Sequence, residues 1–143
     1  MGWDRLRLLA GDVLAVLAFV VVGQIFHNTL TAPDALSRAI VQVVSIGAPF
    51  VLLAWSLGAY PAQPLAARGE LWWFLQRSAL AWLFAIPAGL FVRAWLLGQP
   101  TVLMAFFWPA LASSAPFVLG WRLAYAVLSR SPRVTRAQRR PIF

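Results

Sequence analysis

Residues 8–30 read LLAGDVLAVLAFVVVGQIFHNTL, and this apolar stretch decides the fold. A helix of about 20 apolar residues spans the hydrocarbon core of a bilayer, which is roughly 30 Å thick. The stretch ends in the polar and bulky segment QIFHNTL, and no small-residue cleavage site of the signal-peptide type follows it. We therefore interpret it as an uncleaved transmembrane helix.

Three further stretches, at about 39–60, 71–97 and 102–128, are also long and apolar enough to span a membrane. Turn-forming proline and glycine residues separate them. The sequence thus predicts an all-α integral membrane four-helix bundle, a single domain over residues 1–129. Residues 130–143 are polar and rich in arginine, so we expect a cytoplasmic tail that lies against anionic lipid headgroups.

The composition agrees with a lipid environment. Hydrophobic residues make up 62% of the chain and charged residues only 11%, whereas a soluble domain carries about 25% charged residues. The net charge is +8, and every basic residue is an arginine. Because these arginines flank apolar runs and do not form one basic face, we expect contact with the lipid bilayer and no binding of nucleic acid.

The distribution of the arginines predicts an orientation. Four spans place both termini on one side of the membrane, and that side then holds every arginine except Arg38 and Arg93. Short loops rich in arginine stay in the cytoplasm. We therefore expect a multi-pass protein of the inner (plasma) membrane with both termini cytoplasmic.

An internal repeat suggests how the four helices are related. The sequence APFVL occurs at 48–52 and again at 115–119, and Gly23 falls on Gly89 in a closely similar register. This predicts two parallel-repeat helical hairpins related by a pseudo-two-fold axis along the membrane normal. Pro49 and Pro116 then lie at equivalent depths, where each is expected to kink its helix.

Asp12 is an acidic residue inside a predicted span, so it requires a partner or a function. The repeat aligns it with Ser78, which follows Arg77, so we predict an ion pair between Asp12 and Arg77. Arg122 is the competing partner. The pair would act either as a structural clamp or as a substrate or proton site.

A second group of polar residues is predicted at the opposite side of the membrane. Gly23 is followed one helical turn later by His27, and Gly89 likewise by Arg93. Histidine exchanges protons near neutral pH, and arginine binds carboxylate or phosphate, so the two side chains could line a shared vestibule together with Gln24. Alternatively, both are interfacial and reach toward lipid headgroups.

Soluble-enzyme motifs are absent from the sequence, including the Walker A loop, the Rossmann glycine pattern, G-x-S-x-G and HExxH. A single histidine and the lack of cysteine make a metal site built from protein ligands unfavourable. We therefore expect no cofactor and no metal, and we favour a protein that is not an enzyme.

Several landmarks occur in a fixed order: GDVLAVLAF at 11–19, Gly23 and His27, APF with Gly58, Gly89 and Arg93 with Gly98-Gln99, and FVLGWR at 117–122. This order resembles the prokaryotic membrane-protein family catalogued as domain of unknown function 3054, over about residues 11–125. The family is uncharacterised, so the resemblance implies a fold class and no reaction.

Two functions remain open from the sequence. The first is a module that binds or transports a small solute, an ion or an amphiphile, and acts as a homo-oligomer. The alternative is a non-catalytic accessory or assembly subunit of a larger membrane complex. Transport requires the polar groups to converge on a water-filled cavity, whereas an accessory role allows them to pair while an apolar helix face stays free.

Overall fold

The computed structural model describes residues 2–62, 65, 68–99 and 104–129. Within this part the protein is all-α, with a short 3-10 turn at Met104–Phe106 and four helices: α1 (Trp3–Phe26), α2 (Ala35–Ser56), α3 (Arg68–Leu96) and α4 (Phe107–Leu128). Each of the four is long and apolar enough to cross a membrane. The predicted all-α architecture is confirmed, and the tail at 130–143 lies outside the described residues.

Three of the helices end in the same type of hydrogen-bonded turn. A residue with positive φ follows each helix, namely Asn28 (φ 53), Gly58 (φ 70) and Gly98 (φ 61). The next N–H then bonds the carbonyl oxygen five residues earlier, as in Ala59 to Ala54. This is the Schellman motif, which glycine adopts without steric cost because it lacks a Cβ.

These turns explain why the helix ends differ from the apolar stretches. The first helix ends at Phe26 and the second at Ser56, before the limits of 8–30 and 39–60 that hydropathy alone indicates. A Schellman turn stops a helix irrespective of whether apolar residues follow it. As a result Tyr60, which the sequence places in a span, lies in the loop after α2 and is buried.

The helices form a closed ring in which each contacts its two neighbours in sequence and α4 returns to α1. Asp12 of α1 bonds Arg122 of α4, whereas Gln24 at the other end of α1 bonds Ala35 at the start of α2. Consecutive helices are therefore antiparallel, and the start of α1 lies beside the end of α4. We call this end of the bundle the Asp12 end and the opposite one the His27 end.

Small residues fill much of the centre of the bundle, whereas large apolar residues cover its outer surface. The buried small residues include Ala54, Ala81, Ala85 and Ala126. In a membrane, small residues at helix interfaces allow close backbone approach, and lipid solvates the outer apolar surface. The distribution of side chains is thus that of a membrane bundle.

The two glycines that the repeat equates have different surroundings. A Cβ on Gly89 would lie 2.7 Å from the backbone oxygen of Ser45, so α2 and α3 are in close backbone contact there. A Cβ on Gly23 would meet nothing within 4 Å. Pro49 lies inside α2 and Pro116 lies inside α4. The kinks expected at these two prolines remain predictions. The repeat itself remains a prediction.

Candidate functional site

A buried ion pair joins α1 to α4. Arg122 is 0% exposed and Asp12 is 1% exposed. The Nε atom of Arg122 donates to Oδ1 of Asp12 at 3.0 Å, and its Nη2 atom donates to Oδ2 at 2.7 Å. The contact is therefore bidentate, the geometry in which arginine binds carboxylate most strongly.

The predicted pair between Asp12 and Arg77 is wrong. Arg77 instead stacks over the ring of Trp73 at 4.9 Å. Its Nη1 atom lies 2.9 Å from the position that a Cβ on Gly58 would occupy. The reason is angular, because neighbouring residues on a helix point about 100° apart. Ser78 points into the bundle, so Arg77 is directed away from its centre.

Two more groups complete the hydrogen bonds of Arg122. Its Nη1 atom donates to the carbonyl oxygen of Ala59 at 2.9 Å and to Oγ of Ser78 at 3.0 Å. The Tyr60 hydroxyl donates to Oδ2 of Asp12 at 2.6 Å. The Schellman turn after α2 folds Ala59 and Tyr60 back under the end of that helix. We call Asp12, Tyr60, Ser78 and Arg122 the Asp12 cluster; it joins α1, α3 and α4 to the loop that follows α2.

Aromatic rings enclose the charged part of the Asp12 cluster. The guanidinium carbon of Arg122 lies 4.8 Å from the ring centroids of both Phe50 and Tyr60, and 5.6 Å from that of Phe74. Such contacts stabilise a desolvated cation. Tyr60 lies beyond the end of α2. The pKa of its phenol is raised, mainly because the side chain is buried and also because the negative charge of Asp12 is close. The hydroxyl therefore stays protonated and remains a donor.

This arrangement favours the structural interpretation of Asp12. The polar atoms of the Asp12 cluster bond one another, and all four side chains are buried. A buried ion pair whose atoms are satisfied fixes the relative positions of the helices that supply it. Sequence analysis missed Tyr60 because its role depends on the turn at Gly58, although the positions of glycine and tyrosine after an apolar stretch offered a signal.

The polar residues of the His27 end are arranged differently. His27 follows the last residue of α1 and is exposed, and Arg93 near the end of α3 is also exposed. Gln24 is buried, and its Nε2 atom donates to the carbonyl oxygen of Ala35 at 2.8 Å. Among the described residues, no hydrogen bond or ion pair joins His27 to Arg93. Gln24 thus connects α1 to α2 instead of joining His27 and Arg93 in a shared site.

A groove on the outside of the bundle lies between α1 and α4 at the Asp12 end. Its volume is about 740 Å³, within the range of about 300–1,000 Å³ typical of small-molecule sites. Apolar side chains form most of its walls, including Ala10, Leu14 and Phe117, and the charged side chains Asp4 and Arg7 also line it. The sequence did not predict this groove, because it exists only where α4 returns to α1.

The bottom of the groove depends on a glycine. The ring of Trp121 lies directly against Gly11, where any Cβ would overlap it. The Trp121 Nε1 atom donates to the carbonyl oxygen of Leu8 at 3.4 Å. One turn further along α4, the Tyr125 hydroxyl donates to the carbonyl oxygen of Asp4 at 3.5 Å. These contacts hold α1 and α4 together beneath the groove.

The length of the groove matches half of a bilayer. Its lining on α1 runs from Asp4 to Ala15, which corresponds to about 16 Å at a rise of about 1.5 Å per residue. The hydrocarbon core of a bilayer is about 30 Å thick. A groove that begins at the charged end of a spanning helix therefore reaches about the middle of the membrane.

The described residues contain no group of three or more histidine, cysteine, aspartate or glutamate side chains that could hold a metal ion. Asp12 and Asp34 each bond an arginine, Arg122 at 2.7 Å and Arg38 at 2.6 Å. The groove can thus bind a ligand through apolar contacts and through one cationic and one anionic side chain.

Comparison with known proteins gives one result. The model of the family described as "Protein of unknown function (DUF3054)" matches residues 9–125. This range includes all four members of the Asp12 cluster and most of the groove. No curated protein and no solved structure matches the chain. Since the match covers most of the sequence, the chain belongs to this uncharacterised family, DUF3054.

Proposed function

We propose that this chain is a multi-pass membrane protein that binds an amphiphile of the surrounding bilayer in the groove between α1 and α4. The observation that carries the proposal is the groove itself, which combines apolar walls, two charged residues and the length of one leaflet. An amphiphile has the same division into a long apolar part and a short polar part.

The exposure of the lining residues supports entry from the lipid. Leu14 is 63% exposed and Ala10 is exposed as well, although both line the groove. The groove is therefore open along its side, toward the acyl chains that surround a transmembrane bundle. An amphiphile could enter it by lateral movement, without its polar headgroup crossing the apolar core, which is energetically costly.

The proposal includes an orientation. We place the Asp12 end in the cytoplasm and the bundle in the inner (plasma) membrane, because the described arginines other than Arg38 and Arg93 belong to this end. Trp3 and Trp121 near this end are residues that favour the interface. The arginine-rich tail at 130–143 would then reach anionic lipid of the same leaflet.

Binding, and not passage across the membrane, is the activity that the groove supports. Its lining on α1 ends at Ala15, about midway along the helix. Inside the bundle at the same end, the Asp12 cluster and its three aromatic neighbours occupy the centre. An ion or polar solute crossing the bundle would have to displace this buried ion pair.

A second candidate function is that of a non-catalytic subunit of a larger membrane complex or homo-oligomer. A specific observation favours it: the exposed face of α4 presents Ala112, Pro116, Gly120 and Ala124 at intervals of one helical turn. A Cβ on Gly120 would meet nothing within 4 Å. Small residues at this spacing allow another transmembrane helix to approach closely.

The experiment that tests the proposal is native mass spectrometry of the full chain purified in mild detergent. Ala10→Trp fills the groove, and Ala18→Trp makes the same change on an exposed part of α1 outside it. We expect the wild-type protein and Ala18→Trp to retain one lipid-sized molecule and Ala10→Trp to lose it.

Equal retention by Ala10→Trp and Ala18→Trp would overturn binding in the groove. Other protein subunits that purify with the chain at fixed stoichiometry, without a retained amphiphile, would instead support the second function. The thermal unfolding midpoint of both variants shows whether the comparison is made between folded proteins.

A further inference from the structure

We infer that the amphiphile in the groove is a phospholipid with a phosphoethanolamine headgroup, which carries one phosphate and one primary ammonium. This inference rests on the proposed function and adds the chemical class of the ligand. Its basis is the pair of charged residues that line the groove, Asp4 and Arg7.

The two residues are neighbours on one face of α1. They are three positions apart, so their side chains lie about one turn from each other along the same side of the helix. Within the described part of the chain, ion pairs such as Arg38 with Asp34 and Arg122 with Asp12 are formed, but none within 4.0 Å joins Asp4 to Arg7. The carboxylate of Asp4 and the guanidinium of Arg7 are thus close together without being joined to each other.

The two charged side chains can bind different groups of a ligand. The guanidinium of Arg7 stacks over the Trp3 ring at 5.4 Å, which holds it near the start of α1 and leaves its N–H edges available. Arginine binds phosphate through two parallel hydrogen bonds. Asp4 is partly exposed, and its carboxylate is an acceptor for a donor cation.

The charges of the lining select among headgroups. Asp4 and Arg7 together carry no net charge, so a headgroup that also has no net charge but has both signs is complementary to them. An anionic headgroup without an ammonium would face repulsion from Asp4, which is strengthened where water is scarce. A primary ammonium instead donates hydrogen bonds to the carboxylate.

A quaternary ammonium fits the groove less well. Such a cation has no N–H donor for Asp4, and proteins usually recognise it with a cage of exposed aromatic faces. The lining contains Trp121 and Tyr125, but the Trp121 ring is occupied by its contact with Gly11. The Tyr125 ring is buried and packs against the rings of Phe74 and Trp121, with centroid distances of 6.1 and 6.2 Å. These features favour a primary amine over choline.

The inference is tested by competition between lipids with identical acyl chains. The full chain in detergent is incubated with equal amounts of phosphatidylethanolamine, phosphatidylglycerol and phosphatidylcholine, and retained lipid is measured by native mass spectrometry. We expect the wild-type protein to prefer phosphatidylethanolamine by about tenfold over each of the others, the ratio that one added charge-assisted contact supplies.

Two substitutions separate the roles of the charges. Asp4→Asn removes the partner of the ammonium and the repulsion of anions, so the preference should shift toward phosphatidylglycerol. Arg7→Gln removes the phosphate partner, so retention of all three phospholipids should fall. Asp34→Asn makes the same chemical change as Asp4→Asn at the opposite end and should leave the preference as in the wild-type protein.

Two results would overturn the inference: equal retention of the three lipids by the wild-type protein, or an unchanged preference in Asp4→Asn. As long as the wild-type protein retains lipid, neither of them affects the proposed function, which is tested separately by comparing Ala10→Trp with Ala18→Trp. The thermal unfolding midpoint of each variant, measured without added lipid, confirms that the variants are folded.

Discussion

The two ends of the bundle treat polar side chains in opposite ways. At the Asp12 end, an ion pair, a hydroxyl and a phenol bond one another in a buried cluster that joins α1, α3 and α4 to the loop after α2. At the His27 end, the ion pair is the exposed contact between Asp34 and Arg38, four residues apart at the start of α2. We therefore expect the buried group to stabilise the bundle strongly, whereas the exposed pair contributes little because water and headgroups can replace its contacts.

The substitution Asp12→Ala is expected to have the largest effect on stability. This change leaves the guanidinium of Arg122 buried without its carboxylate, and loss of one partner of a buried pair costs about 3–5 kcal/mol. We expect a free energy of unfolding lower by that amount, measured by denaturant titration in detergent.

A double variant provides the control for Asp12→Ala. Replacing the pair by apolar side chains, as in Asp12→Leu with Arg122→Met, removes the unpaired charge and should restore much of the lost stability. A single Asp12→Ala variant as stable as the wild-type protein would show that the Asp12 cluster does not hold the helices together.

Tyr60→Phe tests the contribution of one hydrogen bond within the Asp12 cluster. The bond from its hydroxyl to Asp12 is short and charge-assisted, and such bonds contribute about 1.5–3 kcal/mol. We expect a loss of stability in this range, measured by the same denaturant titration.

The matched control is Tyr125→Phe, whose hydroxyl makes a long contact of 3.5 Å to a backbone oxygen. That variant should lose clearly less stability than Tyr60→Phe. Equal losses in the two variants would contradict the special importance of the bond to Asp12.

A pair of glycine substitutions tests how closely the helices pack at each end. Gly89→Ala places a Cβ against the backbone of Ser45 and forces α2 and α3 apart, at a cost of about 1–3 kcal/mol. Gly23→Ala meets open space and replaces a poor helix former, so we expect a gain of up to about 1 kcal/mol.

The two variants are compared by the direction in which each shifts the thermal unfolding midpoint. Both substitutions are Gly→Ala within a helix, so thermal unfolding midpoints should move in opposite directions. A similar decrease in both would indicate that the surroundings of the two glycines are alike, as an accurate structural repeat would require.

The smallest effect is expected from Arg38→Gln at the His27 end. Its contact with Asp34 is exposed, with 58% and 50% of the two side-chain surfaces accessible, and such pairs contribute about 0.3–0.5 kcal/mol. We expect a change within about 0.5 kcal/mol in the denaturant titration. A loss of stability comparable to that of Asp12→Ala would show that the polar contacts of the two ends contribute equally.

The sequence predicted part of the candidate site and missed part of it for a definite reason. It identified Asp12 as a residue that needs a partner, because a carboxylate in a membrane is costly. It preferred Arg77 over Arg122, because it compared depth along the membrane without the direction of each side chain around its helix. It also related Ser78 to Asp12 through the repeat, and both side chains contact Arg122.

The number of helices, their apolar exterior, the family and the need for a partner at Asp12 could all be predicted from the sequence. These properties depend on the bilayer as solvent, since its thickness sets the length of an apolar stretch and its polarity penalises a charge. The partner of Asp12, the role of Tyr60 and the existence of the groove became visible only in the folded bundle. Each of these depends on which helices are adjacent and how each is rotated about its axis, and hydropathy along the chain contains neither.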